Sequence, residues 1–167
     1  MTQRIVIMGV SGSGKSSVGD ALSERLGIPY RDGDDLHSPE NIRKMQAGEA
    51  LTDADRWPWL DRVALELAAL APVIIGCSAL RRAYRDRIRA GAGGPVYFVH
   101  LAGSRELIAE RMARRSGHFM PTSLLDSQFA ALEPPGPDED AVTVEIDQPL
   151  DRLVSDILHQ MNPPSAD

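Results

Sequence analysis

Cysteine occurs once in this 167-residue chain, at Cys77. A lone thiol excludes an internal disulfide framework and any zinc site built on several cysteines, and it suits a reducing compartment. No apolar run approaches the roughly 18 residues of a membrane-spanning helix. The short apolar run after Arg4 meets a glycine-rich stretch within a few residues, unlike a secretory leader. These absences lead us to expect a cytoplasmic protein with no membrane partner. An excess of positive charge is also missing. The net charge is −6, so the basic footprint of a nucleic-acid binder is absent. Lysine is nearly missing: Lys15 and Lys44 are the only two. A chain that uses arginine almost everywhere has a specific need where it places Lys15.

What is present is an alternation of apolar strands and helices. Arg4 to Met8 reads as a buried strand, as do Val73 to Cys77, Val96 to Leu101 and Val142 to Ile146, with a short strand at Tyr30 to Asp32. Helices are expected over 17–26, 41–47, 56–70, 80–89, 104–114, 122–132 and 150–161. Thr122 is placed as an N-cap. Glu133 to Asp140 is a loop by its prolines and acids. Continuous apolar strands separated by helices imply a parallel sheet covered on both faces. The expected fold is a three-layer α/β/α domain over residues 1–161, with about five strands and a frayed tail over 162–167. Ligands should gather at the carboxyl ends of the strands.

The residues after the first strand carry the strongest chemical signal. Gly9-Val10-Ser11-Gly12-Ser13-Gly14-Lys15-Ser16 satisfies G-x-x-x-x-G-K-[ST], with a strand before it and a helix after it. Glycines let successive backbone N–H groups face an anion, and the following helix adds its positive end. This is an ATP-binding loop. Gly9, Ser11, Gly12, Ser13, Gly14, Lys15, Ser16 and Ser17 are the expected nucleotide contacts. Lys15 reaches the terminal phosphates as a catalytic cation, and the Ser16 hydroxyl is the expected Mg²⁺ ligand.

Asp32-Gly33-Asp34-Asp35 follows the second strand. In a parallel sheet those carboxylates lie beside the phosphate loop. There one can accept the proton of an acceptor hydroxyl or hold Mg²⁺ through water. The third strand ends in Cys77-Ser78, without an aspartate. Mg²⁺ is therefore expected on Ser16, phosphate oxygens and water, with Asp32 or Asp34 further out.

At this point the chain resembles the gluconokinase family. The resemblance rests on the phosphate loop, Asp32-Gly33-Asp34 with His37, Asn41-Ile42 with Lys44-Met45, and Gly48-Glu49. It continues through Leu51-Thr52-Asp53-Ala54-Asp55-Arg56, Pro58-Trp59-Leu60, Cys77-Ser78-Ala79-Leu80, Tyr84-Arg85-Asp86 and Gly117-His118-Phe119. It ends with Gln128-Phe129, Leu132-Glu133-Pro134 and Asp147-Gln148-Pro149. The motifs run in family order from residue 5 to about 158. The resemblance implies ATP-dependent phosphorylation of D-gluconate to 6-phosphogluconate. It also implies a fold like shikimate kinase and adenylate kinase, a mobile lid over approximately 111–128, and a homodimer.

Carried over residue by residue, Asp34 resembles the group that approaches the acceptor hydroxyl. Arg111, Arg114 and Arg115 lie where the lid of such kinases begins. Their planar forks suit phosphate oxygens, and Arg111 and Arg115 are the expected catalytic arginines. Asp147 and Pro149 fall in the loop that lies near the adenine in this family. Gluconate needs a cation for its carboxylate and several hydrogen-bonding side chains. The candidates are His37, Arg56, Ser78, Arg81, Tyr84, Arg85, His118 and Gln128, with Arg56 and Arg85 the preferred cations. Trp57 and Trp59 are assigned to packing, and Cys77 to inert core. Shikimate and adenylylsulfate kinases share the loop and the aspartate pair. The first would carry a triple glycine where Cys77-Ser78-Ala79 stands, and the second an asparagine where Asp35-Leu36-His37 follows. A third alternative is a sensor that binds ATP and a sugar acid without turnover.

Overall fold

The computed structural model describes residues 3–114 and 122–161. Within them, five strands form one sheet: β1 (Arg4–Met8), β2 (Tyr30–Asp32), β3 (Val73–Gly76), β4 (Tyr97–Ala102) and β5 (Ala141–Glu145). Every pairing is parallel and the order is β2-β3-β1-β4-β5. Seven helices connect them: α1 (Lys15–Leu26), α2 (Pro39–Gln46), α3 (Asp53–Leu70), α4 (Arg82–Gly91), α5 (Arg105–Arg114), α6 (Thr122–Ala131) and α7 (Leu150–Met161). Among the described residues no helix is long and apolar enough to cross a membrane.

Side chains alternate across a strand, so each strand feeds two cores. Ile5, Ile7, Ile74, Val99 and Leu101 pack with Val18 and Leu22 of α1, Ile108 of α5, Leu125 of α6 and Val154 of α7. Val6, Met8, Val73, Ile75 and Phe98 face the other way, onto Trp59, Leu60, Val63 and Leu67 of α3 and Ile88 of α4. β1 is the middle strand. Its carboxyl end therefore lies at the centre of the sheet edge where the loops converge.

Three helices start earlier than hydrophobic periodicity indicates: α1 follows directly on the phosphate loop at Lys15, and caps are the reason for α2 and α3. Ser38 accepts from the Asn41 N–H with Pro39 in the first turn. Thr52 and Asp55 form a reciprocal capping box at the start of α3. A 3₁₀ turn over Gly33–Leu36, absent from the sequence reading, is started by Asp32, whose Oδ1 accepts from the Asp34 N–H at 2.9 Å. The position read as an N-cap at Thr122 carries no described side chain.

Arg85 was a preferred substrate cation, and the structure corrects this. It is fully buried. Its Nε and Nη2 donate to the two oxygens of Glu139 at 2.7 and 3.1 Å, and Nη1 donates to the Ala79 carbonyl at 2.9 Å. Arg89 donates to the same carboxylate at 2.6 Å, and so does the Gly136 N–H at 2.8 Å. The guanidinium therefore pins the turn before α4 to the loop before β5 and has no face left for a ligand. Burial acts to raise the Glu139 pKa, but the bonds from Arg85 and Arg89 outweigh it and hold the group at about 2.

Removing one partner of a buried pair strands the other charge, at a cost of about 3–5 kcal/mol. Glu139→Ala is expected to lose stability on that scale in urea unfolding. The sign of the pH dependence follows from the depressed value. The folded pKa lies below the ordinary 4.5, so this contribution is present above about pH 4.5 and fades as pH falls toward about 2. Parent and variant unfolding curves should therefore converge in acid.

Candidate active site

The phosphate loop leaves the carboxyl end of β1 and enters α1. Gly12 and Gly14 hold left-handed backbone conformations, φ 80° and 96°. At Gly12 there is no room either, because a Cβ would lie 2.7 Å from Met112 Cγ on α5. The Gly9 N–H donates to the Ser78 carbonyl at 3.2 Å, tying the loop to the end of β3. Lys15 Nζ donates to the Gly9 and Val10 carbonyls at 3.0 and 3.1 Å, so the ammonium is held over the loop's mouth. Ser16, the expected metal ligand, is exposed at the start of α1, and its hydroxyl hydrogen-bonds Tyr30.

Beside the loop is a cleft of about 390 Å³ lined by Gly12, Ser13, Gly14, Ser17, Val18 and Arg111, and closed by Ile146, Gln148, Leu150 and Leu153. One wall is backbone and small polar groups; the other is apolar. That division suits a nucleotide, with phosphates on the loop and a flat base against Val18, Leu150 and Leu153. Arg111 donates from Nη2 to the Ile146 carbonyl at 2.9 Å, which holds it at the cleft wall. Arg114 does not join it. It points to solvent and pairs with Glu110 on its own helix. Asp147 and Pro149 are exposed and do not line the cleft; Gln148 between them does. Arg115 and His118 lie outside the described residues.

The Asp32–Asp34 turn stands on the other side of the loop. A Cβ at Gly33 would lie 2.3 Å from the Gly76 carbonyl oxygen, so only glycine brings the turn this close to β3. Trp59 Nε1 donates to the Gly33 carbonyl at 2.8 Å from the buried face of α3. Packing was the expected role for Trp59; its N–H also fixes the turn. Asp34 is exposed at the turn, yet partial desolvation by the surrounding chain raises its pKa. Lys15 pulls the other way, and the charges of Asp32 and Asp35 add to the rise. The opposition of Lys15 and Asp34 brings the loop and the acid into one site. Cys77 is buried and its thiol is pushed up to about 12, chiefly by burial, consistent with inert core.

His37 stacks on Trp59 with ring centroids 3.9 Å apart. Asn41 Nδ2 can only donate, so at 3.3 Å from His37 Nδ1 it makes that nitrogen an acceptor and puts the ring proton on Nε2. The same Nδ2 donates to the Asp55 carbonyl at 2.9 Å. Burial lowers the His37 pKa to about 4, helped by the charges of Arg56 and Arg62. The ring is therefore neutral and presents an N–H. Arg56 donates to the Leu51 carbonyl at 2.6 Å and to the Tyr84 hydroxyl at 3.2 Å. Tyr84 in turn donates to Asp53, so its hydroxyl orients Arg56. Arg81 is exposed near Tyr84 with no ion pair among the described residues. Ser78 contributes its carbonyl to the phosphate loop. Gln128 also departs from expectation: both ends of its amide are taken up by Ser11 of the loop.

The sequence reading missed Tyr30. Its ring lies where a Cβ at Gly19 would come within 2.3 Å and its hydroxyl where a Cβ at Gly76 would come within 2.2 Å. Two glycines thus make room for a phenol that meets Ser16. Burial, the first cause, raises that phenol to about 12, so it stays protonated. Gly19 and Gly76, each inside a regular element, were the available signal.

A family model described as an AAA domain matches residues 5–135. A gluconokinase from Gluconobacter oxydans is 44% identical over 158 residues, covering 92% of this chain and 88% of the relative. This chain belongs to the gluconokinase family. The crystal structure of a gluconokinase from Sinorhizobium meliloti agrees, at 52% identity with a TM-score of 0.89, covering 95% and 91% of the two chains. A shikimate kinase from Bacteroides thetaiotaomicron superposes with a TM-score of 0.66 at 16% identity over 96% of this chain and 99% of its own. It shares the fold alone. As a gluconokinase-family kinase the chain is a phosphotransferase with a parallel five-stranded P-loop fold.

Gly33→Ala forces the Asp34 turn away from β3 while leaving the phosphate loop untouched. Its kcat should fall by about 10²-fold, the effect of a misplacement of roughly 1 Å. Calorimetric ATP affinity should stay near that of the parent.

Proposed function

We propose that this chain transfers the γ-phosphoryl group of ATP to the 6-hydroxyl of D-gluconate, giving 6-phospho-D-gluconate and ADP. The observation that carries the reading is that, within a gluconokinase-family chain, the charge of Lys15 on the phosphate loop acts on Asp34 of the turn beside it. Lys15 neutralises charge on the terminal phosphates. Asp34 receives and orients the acceptor hydroxyl. Because the transition state is loose, position and charge count for more than base strength. Arg111, at the cleft wall, adds positive charge beside the phosphates; Arg115 would add to it from outside the described residues. For the acceptor, Arg56 and Arg81 are the remaining cations for the carboxylate, and His37 Nε2–H is a donor for a hydroxyl.

Mg²⁺ fits this donor set. Among the described residues no group of three or more His, Cys, Asp or Glu forms a cage for a metal ion. Mg²⁺ is ordinarily held by one or two protein groups with phosphate oxygens and water. Ser16 would hold it, with Asp32 or Asp34 beyond. When bound, it neutralises charge that builds on the transferring phosphates. A homodimer, as the family resemblance implies, and a cytoplasmic location, as the single cysteine and the lack of a long apolar run suggest, complete the proposal.

The deciding experiment is ADP release from Mg-ATP with gluconate, shikimate, adenylylsulfate and AMP as acceptors. Turnover with gluconate alone is expected. Turnover with another acceptor would discard the acceptor assignment, and ATP binding without any turnover would point to a sensor.

Asp34→Asn should lower kcat by about 10²–10⁴-fold, the usual span for a proton-accepting group, with ATP affinity little changed. The parent also needs Asp34 deprotonated, and its pKa is raised. The acid limb of kcat/KM is therefore expected above the ordinary 3.8, with activity falling as pH drops through it. That limb should vanish in Asp34→Asn.

A further inference from the structure

The phosphate loop is touched from outside the cleft by two helices. Met112 of α5 packs against Gly12. Gln128 of α6 grips Ser11 at two points. Its Oε1 accepts from the Ser11 backbone N–H at 2.7 Å, and its Nε2 donates to Ser11 Oγ at 3.1 Å. The helices brace each other through the ion pair of Arg105 and Asp126, and Ile108 and Leu125 share one core. The helices that carry the described parts of the segment expected to form a lid are thus packed on the core through Ile108 and Leu125, and from there Gln128 meets a loop residue 117 positions away in sequence.

Ser11 does not line the nucleotide cleft; the loop contributes Gly12, Ser13 and Gly14 to that wall. Its N–H turns to α6, so the grip leaves the phosphate-facing wall uncovered. The residues it anchors are the conformationally expensive ones. Glycine loses more freedom on ordering than any other residue, and Gly12 and Gly14 must both hold positive φ. A loop ordered beforehand spares the ligand that cost. An amide suits the task because it offers an acceptor and a donor side by side, matched here to the N–H and Oγ of one serine.

We propose that Gln128 is a positioning residue for nucleotide binding, which presets the phosphate loop by fixing Ser11 and touches neither nucleotide nor acceptor. The proposal rests only on the loop binding a nucleotide, not on the identity of the acceptor.

The test is calorimetric binding of ATP and ADP to the full chain, with steady-state kinetics alongside. Gln128→Met keeps the length of the side chain and removes both hydrogen bonds. Dissociation constants for ATP and ADP should rise together, by about three- to tenfold, the worth of one such bond or slightly more. The KM for gluconate should stay within about twofold. Ser11→Ala added to Gln128→Met should cost nothing further, because the Nε2–Oγ bond is already gone. Unchanged nucleotide affinity overturns the proposal, and so does a rise confined to the gluconate KM. Full multiplication of the two losses in the double variant overturns it as well. If Gln128→Met does not fold, Ser11→Ala alone decides: it removes the Oγ acceptor and should weaken both nucleotides by about two- to threefold, and no change overturns the proposal. Inactivity toward gluconate with these binding shifts intact would instead strike the acceptor assignment.

Discussion

A loop that offers its backbone N–H groups to a ligand cannot use those same groups to hold itself in place. The rest of this fold answers that constraint. β1 ends in the middle of the sheet, so the phosphate loop has neighbours on every side. β3 accepts the Gly9 N–H through Ser78, α5 fills the space above Gly12, and α6 reaches Ser11 through Gln128. Side chains, the Ser78 carbonyl and one bond inside the loop, from the Ser13 N–H to the Val10 carbonyl at 3.2 Å, do the holding, while the rest of the cleft wall faces the nucleotide.

The acceptor side follows the same logic through α3. Its capping box sets the first turn, and Trp59, one turn further on, reaches the Gly33 carbonyl and stacks on His37. Lys44 pairs with the capping residue Asp55 at 2.8 Å and carries α2 with it. Asp34, His37 and Arg56 are thus placed by one helix, which explains why Thr52 to Leu60 is so dense in specific residues. The two aspects of the site meet where Lys15 and Asp34 feel each other's charge.

Arginine has opposite uses within a few residues of one another. Arg85 lies in the core, where desolvation is offset by a two-point bond to Glu139 and by carbonyls, and it binds the α4 turn to the loop before β5. Arg81, one turn earlier, remains in water beside Tyr84. A buried charge must be satisfied by the protein itself, so burial removes Arg85 from consideration as a substrate contact. Exposure leaves Arg81 available.

The order of strands and helices, the parallel sheet, the phosphate loop and the Asp32–Asp34 turn were all legible in the sequence. Each is a local pattern: apolar runs of strand length, glycines before a lysine and a serine, acids after a strand. The family was legible too, because its motifs are contiguous in the chain. Tertiary structure alone decided which side chains face the site. The Arg81–Arg89 run reads as one basic helix, and nothing local says that Glu139, fifty or more residues on, pairs with two members of it, Arg85 and Arg89. Gln128 reads as a pocket amide until the distance to Ser11 is known. Tyr30 reads as a strand residue until two glycines in other elements are seen to make room for it. Local chemistry fixes what a segment can do, whereas burial and partners depend on contacts between residues far apart in sequence.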